Sequence, residues 1–111
     1  MDLLWRNDVP PGKVILGLGF YGRAFQLQDT SCTSVGCPFA GASAKGPCTG
    51  EGGILGYFEI MDILNDKTQT IDVIYDEEAA VNYFTYSKDQ WISYDNATSF
   101  KAKVDWANTV G

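Results

Sequence analysis

The chain has 111 residues with 14 acidic and 8 basic side chains and no histidine, so its formal net charge is −6 at pH 7. That length suits one small domain, and a hydrophobic content of 45% indicates a folded protein. The lack of histidine excludes Ser-His-Asp and Cys-His catalysis and imidazole metal ligands, so we expect no metal site and no cofactor. The acidic balance argues against nucleic acid and against membrane surfaces as partners, because both select basic patches.

The start of the chain predicts the end of a helix followed by a loop. Residues 1–6 are largely apolar, and the Asn, Asp, Pro and Gly residues at positions 7–12 are typical helix breakers. There is no basic stretch with a long apolar core, so no signal peptide is predicted in this chain. No part of the sequence approaches the ~20 apolar residues that a membrane-spanning helix needs.

The next segment predicts a buried strand. Residues 13–21 are almost continuously apolar and do not alternate with polar residues. This pattern is typical of a strand covered on both faces, as in a parallel sheet between helices. No other segment has this character, so the predicted strand has no parallel neighbour within the chain.

A long ordered loop, which can include short strand segments, is predicted next, over residues 26–50, which are rich in Gly, Ser, Thr, Cys, Pro and Ala and show no period. Its cysteines, Cys32, Cys37 and Cys48, predict one local disulfide and one remaining thiol, without indicating which two pair. A disulfide indicates an oxidising compartment. The remaining thiol would then have its partner outside these residues.

The second half of the chain predicts a small α+β unit. Apolar residues at helical spacing predict a helix, and they are Ile54, Phe58, Met61 and Leu64. Alternating or β-branched segments separated by turn signals predict three strands, over residues 68–76, 80–87 and 90–94. A closing helix follows residues 95–98 and ends before Gly111.

Three glycines match a dinucleotide-binding motif by letter. Gly17, Gly19 and Gly22 form Gly-x-Gly-x-x-Gly directly after the predicted strand. A nucleotide site would require a helix to begin there, and the residues that follow Arg23 have no helical apolar stripe. We therefore expect the glycines to allow close approach of neighbouring structure or of a ligand.

Tyr21 and Arg23 are candidate binding residues. They are two positions apart and therefore share one face of a strand, and in a β/α barrel the strand ends line the active site. A tyrosine ring can stack on a sugar, and arginine offers five donors in a fixed geometry. The alternative, which composition alone favours, is that Tyr21 packs while Arg23 caps a carbonyl or pairs with Glu51.

Two further residues are candidates for chemistry at the surface. Glu51 precedes two glycines at the predicted start of a helix, where the helix dipole favours a charged carboxylate, and the alternative is a simple capping role. Asn96 begins an Asn-Ala-Thr sequon. This sequon can be glycosylated only in a secreted protein.

Together these segments resemble family 18 glycoside hydrolases, the chitinases. Residues 13–25 resemble the seventh barrel strand of that family, which ends in Tyr-Gly-Arg-x-Phe. Residues 46–60 resemble the start of the helix of the chitinase insertion domain. Residues 91–103 resemble the return into the barrel and its seventh helix. The cysteine-bearing residues 31–38 resemble fungal members, particularly the killer-toxin-like group.

The resemblance implies an α+β fold. It is a small antiparallel sheet with one main helix, the insertion domain, inserted in a (β/α)8 barrel of which only one strand and flanking helix pieces are present. Residues 1–24 would be a barrel helix end and the seventh barrel strand, and residues 25–91 the insertion domain. Residues 92–111 would be the return loop and the start of the seventh helix.

The resemblance also implies a substrate, chitin or N-acetylglucosamine oligomers. In the family, the residues matching Tyr21 and Arg23 line the substrate cleft, and the residue matching Glu51 contacts sugar in several members. Trp91 matches a mainly structural position. The insertion domain forms one wall of the groove, the rest of the barrel is its partner, and the parent protein is secreted.

One departure from the family limits the activity of this chain. The family's acid catalyst lies in an Asp-x-x-Asp-x-Asp-x-Glu run, and these 111 residues contain no such run. General-acid catalysis contributes about a hundred- to ten-thousand-fold, so we predict no catalytic residue here and no hydrolysis by this chain alone. The chain would be a substrate-binding segment of a chitinase or, alternatively, a free-standing chito-oligosaccharide-binding protein from a truncated gene. A structural remnant without a ligand is the third possibility.

Overall fold

The computed structural model describes residues 2–69 and 71–111. Met1 and Thr70, which belong to a predicted helix and a predicted strand, lie outside the described residues. Its helices are α1 (Asp2–Arg6), α2 (Tyr57–Leu64) and α3 (Ala97–Val110), with a 3-10 turn at Pro11–Lys13. Its strands are β1 (Tyr21–Leu27), β2 (Phe39–Ala42), β3 (Ile54–Gly56), β4 (Ile74–Asp76), β5 (Val81–Tyr86) and β6 (Gln90–Tyr94). In this described part, no helix is long and apolar enough to cross a bilayer.

The strands form one antiparallel sheet in the order β2-β1-β6-β5-β4, and β3 also pairs with β1. β3 pairs with the first half of β1, β2 pairs with its second half, and β6 lies along its other edge. β1 therefore joins β2 and β3 on one side to β6 on the other. The predicted fold class, α+β with a small antiparallel sheet, is confirmed.

The core lies between the sheet and α2. Strand residues alternate between the two faces of the sheet, and the alternate positions Gly22 and Ala24 of β1 are buried. Ile60 of α2 is fully buried, as is Ile92 of β6, and Phe84 of β5 is 1% exposed. The opposite face of β1 carries the exposed side chains of Tyr21 and Arg23.

The closing helix is fixed at its first turn by polar contacts. Asn96 is the N-cap of α3, where its side chain accepts from the Ser99 amide while the Ser99 hydroxyl accepts from the Asn96 amide. Lys103 forms an ion pair with Asp95 at 2.7 Å. These contacts connect α3 to the end of β6. Glycosylation of Asn96 stays a prediction.

The predicted strand over residues 13–21 is wrong. Residues 14–20 form no strand, and Ile15 and Phe20 are 92% and 70% exposed. An isolated extended segment has no hydrogen-bonding partner, and the parallel neighbours that would bury it are missing from the described residues. Pairing begins instead at Tyr21, where β3 and β6 are available.

Two predicted elements also differ from the structure, whereas the predicted loop contains short strands, as that prediction allows. β2 and the end of β1 lie within it, because cross-strand pairing organises a segment that has no apolar period. Ile54 begins a strand rather than a helix, since it pairs with Arg23. The strand predicted over residues 68–76 is reduced to β4, whereas β5, β6 and α3 lie where the sequence predicts them.

The predicted domain boundaries fall inside two paired strands. Ala24 pairs with Ile92, and Phe25 pairs with Trp91. A unit that keeps these hydrogen bonds must include the whole of β1 and of β6. The division into barrel pieces and an insertion domain stays a prediction.

We predict that Gly22→Ala destabilises the fold by about 1–3 kcal/mol, because overpacking a dense core costs that much. A methyl group at this position would lie 2.7 Å from Ile92 Cδ1 and 2.9 Å from Ile60 Cδ1. Urea unfolding measures the effect. Gly41→Ala is the matched control, since a methyl group there would meet no atom within 4 Å. Equal unfolding free energies of the two variants would contradict this packing.

Candidate functional site

The structure brings two of the predicted site residues together. β1 places Tyr21 and Arg23 on its exposed face, and Tyr21 is 49% exposed. The Arg23 Cζ atom lies 5.6 Å from the centroid of the Tyr21 ring, which is within cation–π range. Among the ion pairs of the described residues, none involves Arg23. The guanidinium donors are therefore free of a carboxylate partner here.

Two glycines of the motif, Gly19 and Gly22, allow close packing around the Tyr21–Arg23 pair. A methyl group at Gly19 would lie 2.7 Å from the Tyr21 ring atom Cε1, so the ring packs over a position without a side chain. Gly22 turns its hydrogens to the core. Because a strand and not a helix follows the motif, it lacks the helix N-terminus that holds a pyrophosphate. Gly19 and Gly22 serve close packing, as the sequence predicts, whereas a methyl group at Gly17 would meet no atom within 4 Å.

Glu51 lies in an exposed loop before β3 and not at the start of a helix, which corrects the prediction. α2 begins only at Tyr57, so its dipole is too distant to favour the Glu51 carboxylate. The loop turns at Gly53, whose φ of +84° is costly for other residues. β3 then pairs with β1, with Ile54 opposite Arg23 and the Gly53 carbonyl accepting from the Ala24 amide, so the Glu51 loop lies on the Ala24 side of Arg23.

The carboxylate at the start of α2 is that of Glu59, which sequence reasoning missed. Glu59 is the third residue of the helix and 2% exposed. Its Oε1 atom accepts from the Cys48 amide at 2.9 Å and from the Thr49 amide at 2.5 Å, and its Oε2 atom accepts from the Thr49 hydroxyl at 2.9 Å. An acidic residue between Phe58 and Ile60 in an apolar helix is the signal that could have found it.

These contacts keep Glu59 ionised and hold the preceding loop. Burial raises the pKa of Glu59, but hydrogen bonds from Thr49, Cys48 and the Gly56 amide outweigh it and lower the pKa below its usual value. Gly46 is buried against the same carboxylate, and a methyl group there would overlap Glu59 Oε2. The loop that leads to Glu51 is thus anchored on α2.

The cysteines of the loop are divided between a disulfide and a thiol. The structure joins Cys32 to Cys37, with 5.7 Å between their Cα atoms, and leaves Cys48 as an exposed thiol. The described residues contain no group of three His, Cys, Asp or Glu side chains that could hold a metal ion. The site offers hydrogen-bond donors, one aromatic ring and one carboxylate on an open surface, which suits binding of a neutral polyhydroxy ligand.

Comparisons with known proteins agree with the resemblance. The family model described as Glycosyl hydrolases family 18 matches residues 1–111. A class V chitinase of Lotus japonicus is 39% identical over 105 residues, which cover 95% of this chain and 24% of that protein. The crystal structure of Ostrinia furnacalis Group IV chitinase in complex with allosamidin has a TM-score of 0.88 and 38% identity, covering 98% of this chain and 29% of that one.

A further structural neighbour is human YKL-39, described as a pseudo-chitinase with retained chitooligosaccharide-binding properties. Its TM-score is 0.86 at 30% identity, covering 97% of this chain and 28% of that one. The chain thus spans about a quarter or less of the length of the curated relatives that it matches. None of the three relatives described here is fungal, so the narrower resemblance to fungal members stays a prediction.

We predict that Glu59→Gln removes part of the acid sensitivity of folding. The pKa of Glu59 is lower in the folded chain than in the unfolded one, where it is about 4.3. The unfolded state therefore takes up the proton first, and the stabilisation present above pH ~4.3 is lost as the pH falls through the folded pKa. The variant should be less stable at pH 7 and should lose less stability between pH 5 and pH 3.

Thermal unfolding from pH 3 to pH 7 measures this difference, with Glu78→Gln as the control because Glu78 is exposed. Other carboxylates with lowered pKa values, including Asp29 and Asp89, contribute to acid unfolding in all of these proteins. The difference between variants therefore isolates Glu59. Parallel pH curves for wild type and Glu59→Gln would contradict the predicted role.

Proposed function

The chain belongs to glycosyl hydrolase family 18, and on that basis we propose that it is the substrate-binding segment of a chitinase that hydrolyses β-1,4-linked N-acetylglucosamine polymers. Tyr21 and Arg23 donate hydrogen bonds to the sugar near the cleavage point. Glu51 contacts a neighbouring sugar or orders the wall of the groove. The observation that carries the proposal is the exposed Tyr21–Arg23 pair on a strand whose other face is locked into the core.

The chemistry of the pair supports a neutral sugar ligand. Arg23 presents five donors without an ion-pair partner in the described residues, and N-acetylglucosamine offers hydroxyl and acetamide oxygens as acceptors. The half-exposed Tyr21 ring offers an apolar surface and a hydroxyl group. A net charge of −6 disfavours acidic polysaccharides and leaves an uncharged one such as chitin unaffected.

The family relationship supports the same ligand class. The Ostrinia furnacalis enzyme is described in complex with allosamidin, and human YKL-39 as retaining chitooligosaccharide binding. Both match nearly the whole of this chain. An oligosaccharide partner for the surface around Tyr21 is therefore consistent with what these neighbours bind.

Hydrolysis requires residues other than these 111. In substrate-assisted family 18 mechanisms, the acetamide of the substrate attacks while a protein acid protonates the leaving oxygen. The sequence has no Asp-x-x-Asp-x-Asp-x-Glu run that would supply the acid. The parent protein is secreted in this proposal, which fits the disulfide between Cys32 and Cys37.

A second candidate is a free-standing chito-oligosaccharide-binding protein without catalysis. The observation that favours it is the sheet itself, which pairs β1 on both edges and buries α2 using only residues of this chain. Human YKL-39 is described as combining binding with a pseudo-chitinase status. A longer reading frame around this segment would favour the first candidate over the second.

The proposal predicts saturable binding of an N-acetylglucosamine tetramer by the purified chain, measured by calorimetry. Arg23→Ala should weaken it about ten- to a hundredfold, because a hydrogen bond to a charged group contributes about 1.5–3 kcal/mol. Arg6→Ala is the matched control, since Arg6 is also exposed but lies on α1. A folded chain that shows no saturable binding at roughly 10 mM sugar, or one in which both variants bind alike, would overturn the proposal.

Incubation of the same chain with the tetramer should release no shorter sugars, since the acid catalyst is missing. The products are followed by mass spectrometry over a day. Hydrolysis that exceeds a buffer control would show that an acid acts in this chain, and its loss in Glu51→Gln would identify that acid as Glu51. Such a result would contradict the binding-only role.

A further inference from the structure

The exposed face of β1 continues past Arg23 into a cavity that the sugar-binding proposal does not use. The cavity has a volume of about 330 Å³. One wall consists of the rings of Phe25, Phe39 and Trp91, and the other is the disulfide-closed loop at Ser34 and Cys37. No charged side chain lines it. We call it the aromatic pocket.

The rings of the aromatic wall are held by contacts within the chain. The Phe25 and Phe39 ring centroids are 4.7 Å apart, and those of Phe25 and Trp91 are 6.4 Å apart. The indole Nε1 of Trp91 donates to the Thr33 carbonyl at 2.9 Å, so the orientation of its ring is fixed. The Tyr83 ring supports Trp91 at 5.6 Å. A preformed wall of this kind binds without a large ordering cost.

The aromatic pocket is continuous with the Tyr21–Arg23 pair. Tyr21, Arg23 and Phe25 alternate along β1 and share one face, and each step of two residues advances about 6.7 Å. Arg23 is opposite Ser93 on β6, and Phe25 is opposite Trp91 in the next row. A linear ligand that lies on Tyr21 and Arg23 and follows β1 therefore reaches the pocket.

We propose that the aromatic pocket is a second sugar subsite, which takes the apolar face and the acetamide methyl group of one N-acetylglucosamine unit. This inference rests on the proposed function, because neighbouring units of the same oligomer lie on Tyr21 and Arg23. The apolar, uncharged lining matches the C–H face of a neutral sugar and disfavours an acidic one. The exposed Ser34 hydroxyl at the rim can bond to a sugar oxygen.

The aromatic pocket and the Tyr21–Arg23 pair form one continuous surface, which favours a sugar over a protein as the partner. A protein side chain could fill an apolar cavity equally well, but it would not account for the shared strand face and the adjacent cross-strand rows. Phe39 is 57% exposed at the outer wall, which leaves the pocket open toward a ligand that lies along the sheet. A long oligomer gains from both surfaces, whereas a disaccharide engages one.

The test compares Phe39→Ala with Trp106→Ala, which removes an exposed ring from α3, away from β1 and outside the pocket. Affinities of the full chain for N-acetylglucosamine dimer, tetramer and hexamer are measured by calorimetry. Phe39→Ala should weaken tetramer and hexamer binding about fivefold and leave the dimer unchanged, since an aromatic contact contributes on that scale. Trp106→Ala should change none of the three.

A second measurement covers the case in which Phe39→Ala does not fold. In the unsubstituted chain, the indole N–H resonance of Trp91, assigned with Trp91→Phe, should shift with hexamer and not with dimer. Arg23→Ala should weaken all three lengths. If Arg23→Ala weakens binding while Phe39→Ala and the Trp91 resonance show no length dependence, this inference fails and the proposed function stands. If the unsubstituted chain binds no oligomer, the inference and the proposed function both fail. If Phe39→Ala changes only the self-association of the chain and not sugar binding, the pocket binds a protein partner.

Discussion

The close approach of β1 to the core at Gly22 is the constraint on which the rest of this structure depends. Because Gly22 has no side chain, Ile60 of α2 and Ile92 of β6 occupy the space that a methyl group at that position would fill. The strand is then held on both edges and from one face. Every second side chain must point outward, and this places Tyr21, Arg23 and Phe25 in one line on the open face.

The buried carboxylate of Glu59 extends this order to a loop that has no regular structure. At the start of α2, it accepts hydrogen bonds from the amides of Cys48 and Thr49 and from the Thr49 hydroxyl. A buried charge is tolerated when its acceptor capacity is met by donors. The contacts of Glu59 therefore fix the loop that leads to Glu51 onto the same core that holds the strand carrying Arg23. Neither Glu51 nor Arg23 contacts Glu59 directly.

Local sequence patterns predicted the second half of the fold better than the first. β6 is marked by a short run rich in aromatic and β-branched residues after a turn signal, and α3 by Asn96 before its first turn, so their bounds follow from local rules. The bounds of β1 were not predicted, because the apolar residues before it match the pattern of a buried strand. Pairing with β3 and β6 decides where the strand forms. Tyr21 and Arg23 were found because strand alternation puts them together. Glu59 and the aromatic pocket depend on contacts between segments distant in sequence, which no local pattern shows.

The central claim is that the open face of β1 is a preformed surface for a chitin oligomer. Intermolecular NOEs between an N-acetylglucosamine tetramer and the full chain test it most directly. The account predicts contacts from sugar protons to the rings of Tyr21 and Phe25, with none to Val104 on the exposed side of α3. Saturable binding whose contacts fall on α3, or on any surface away from β1, would contradict it.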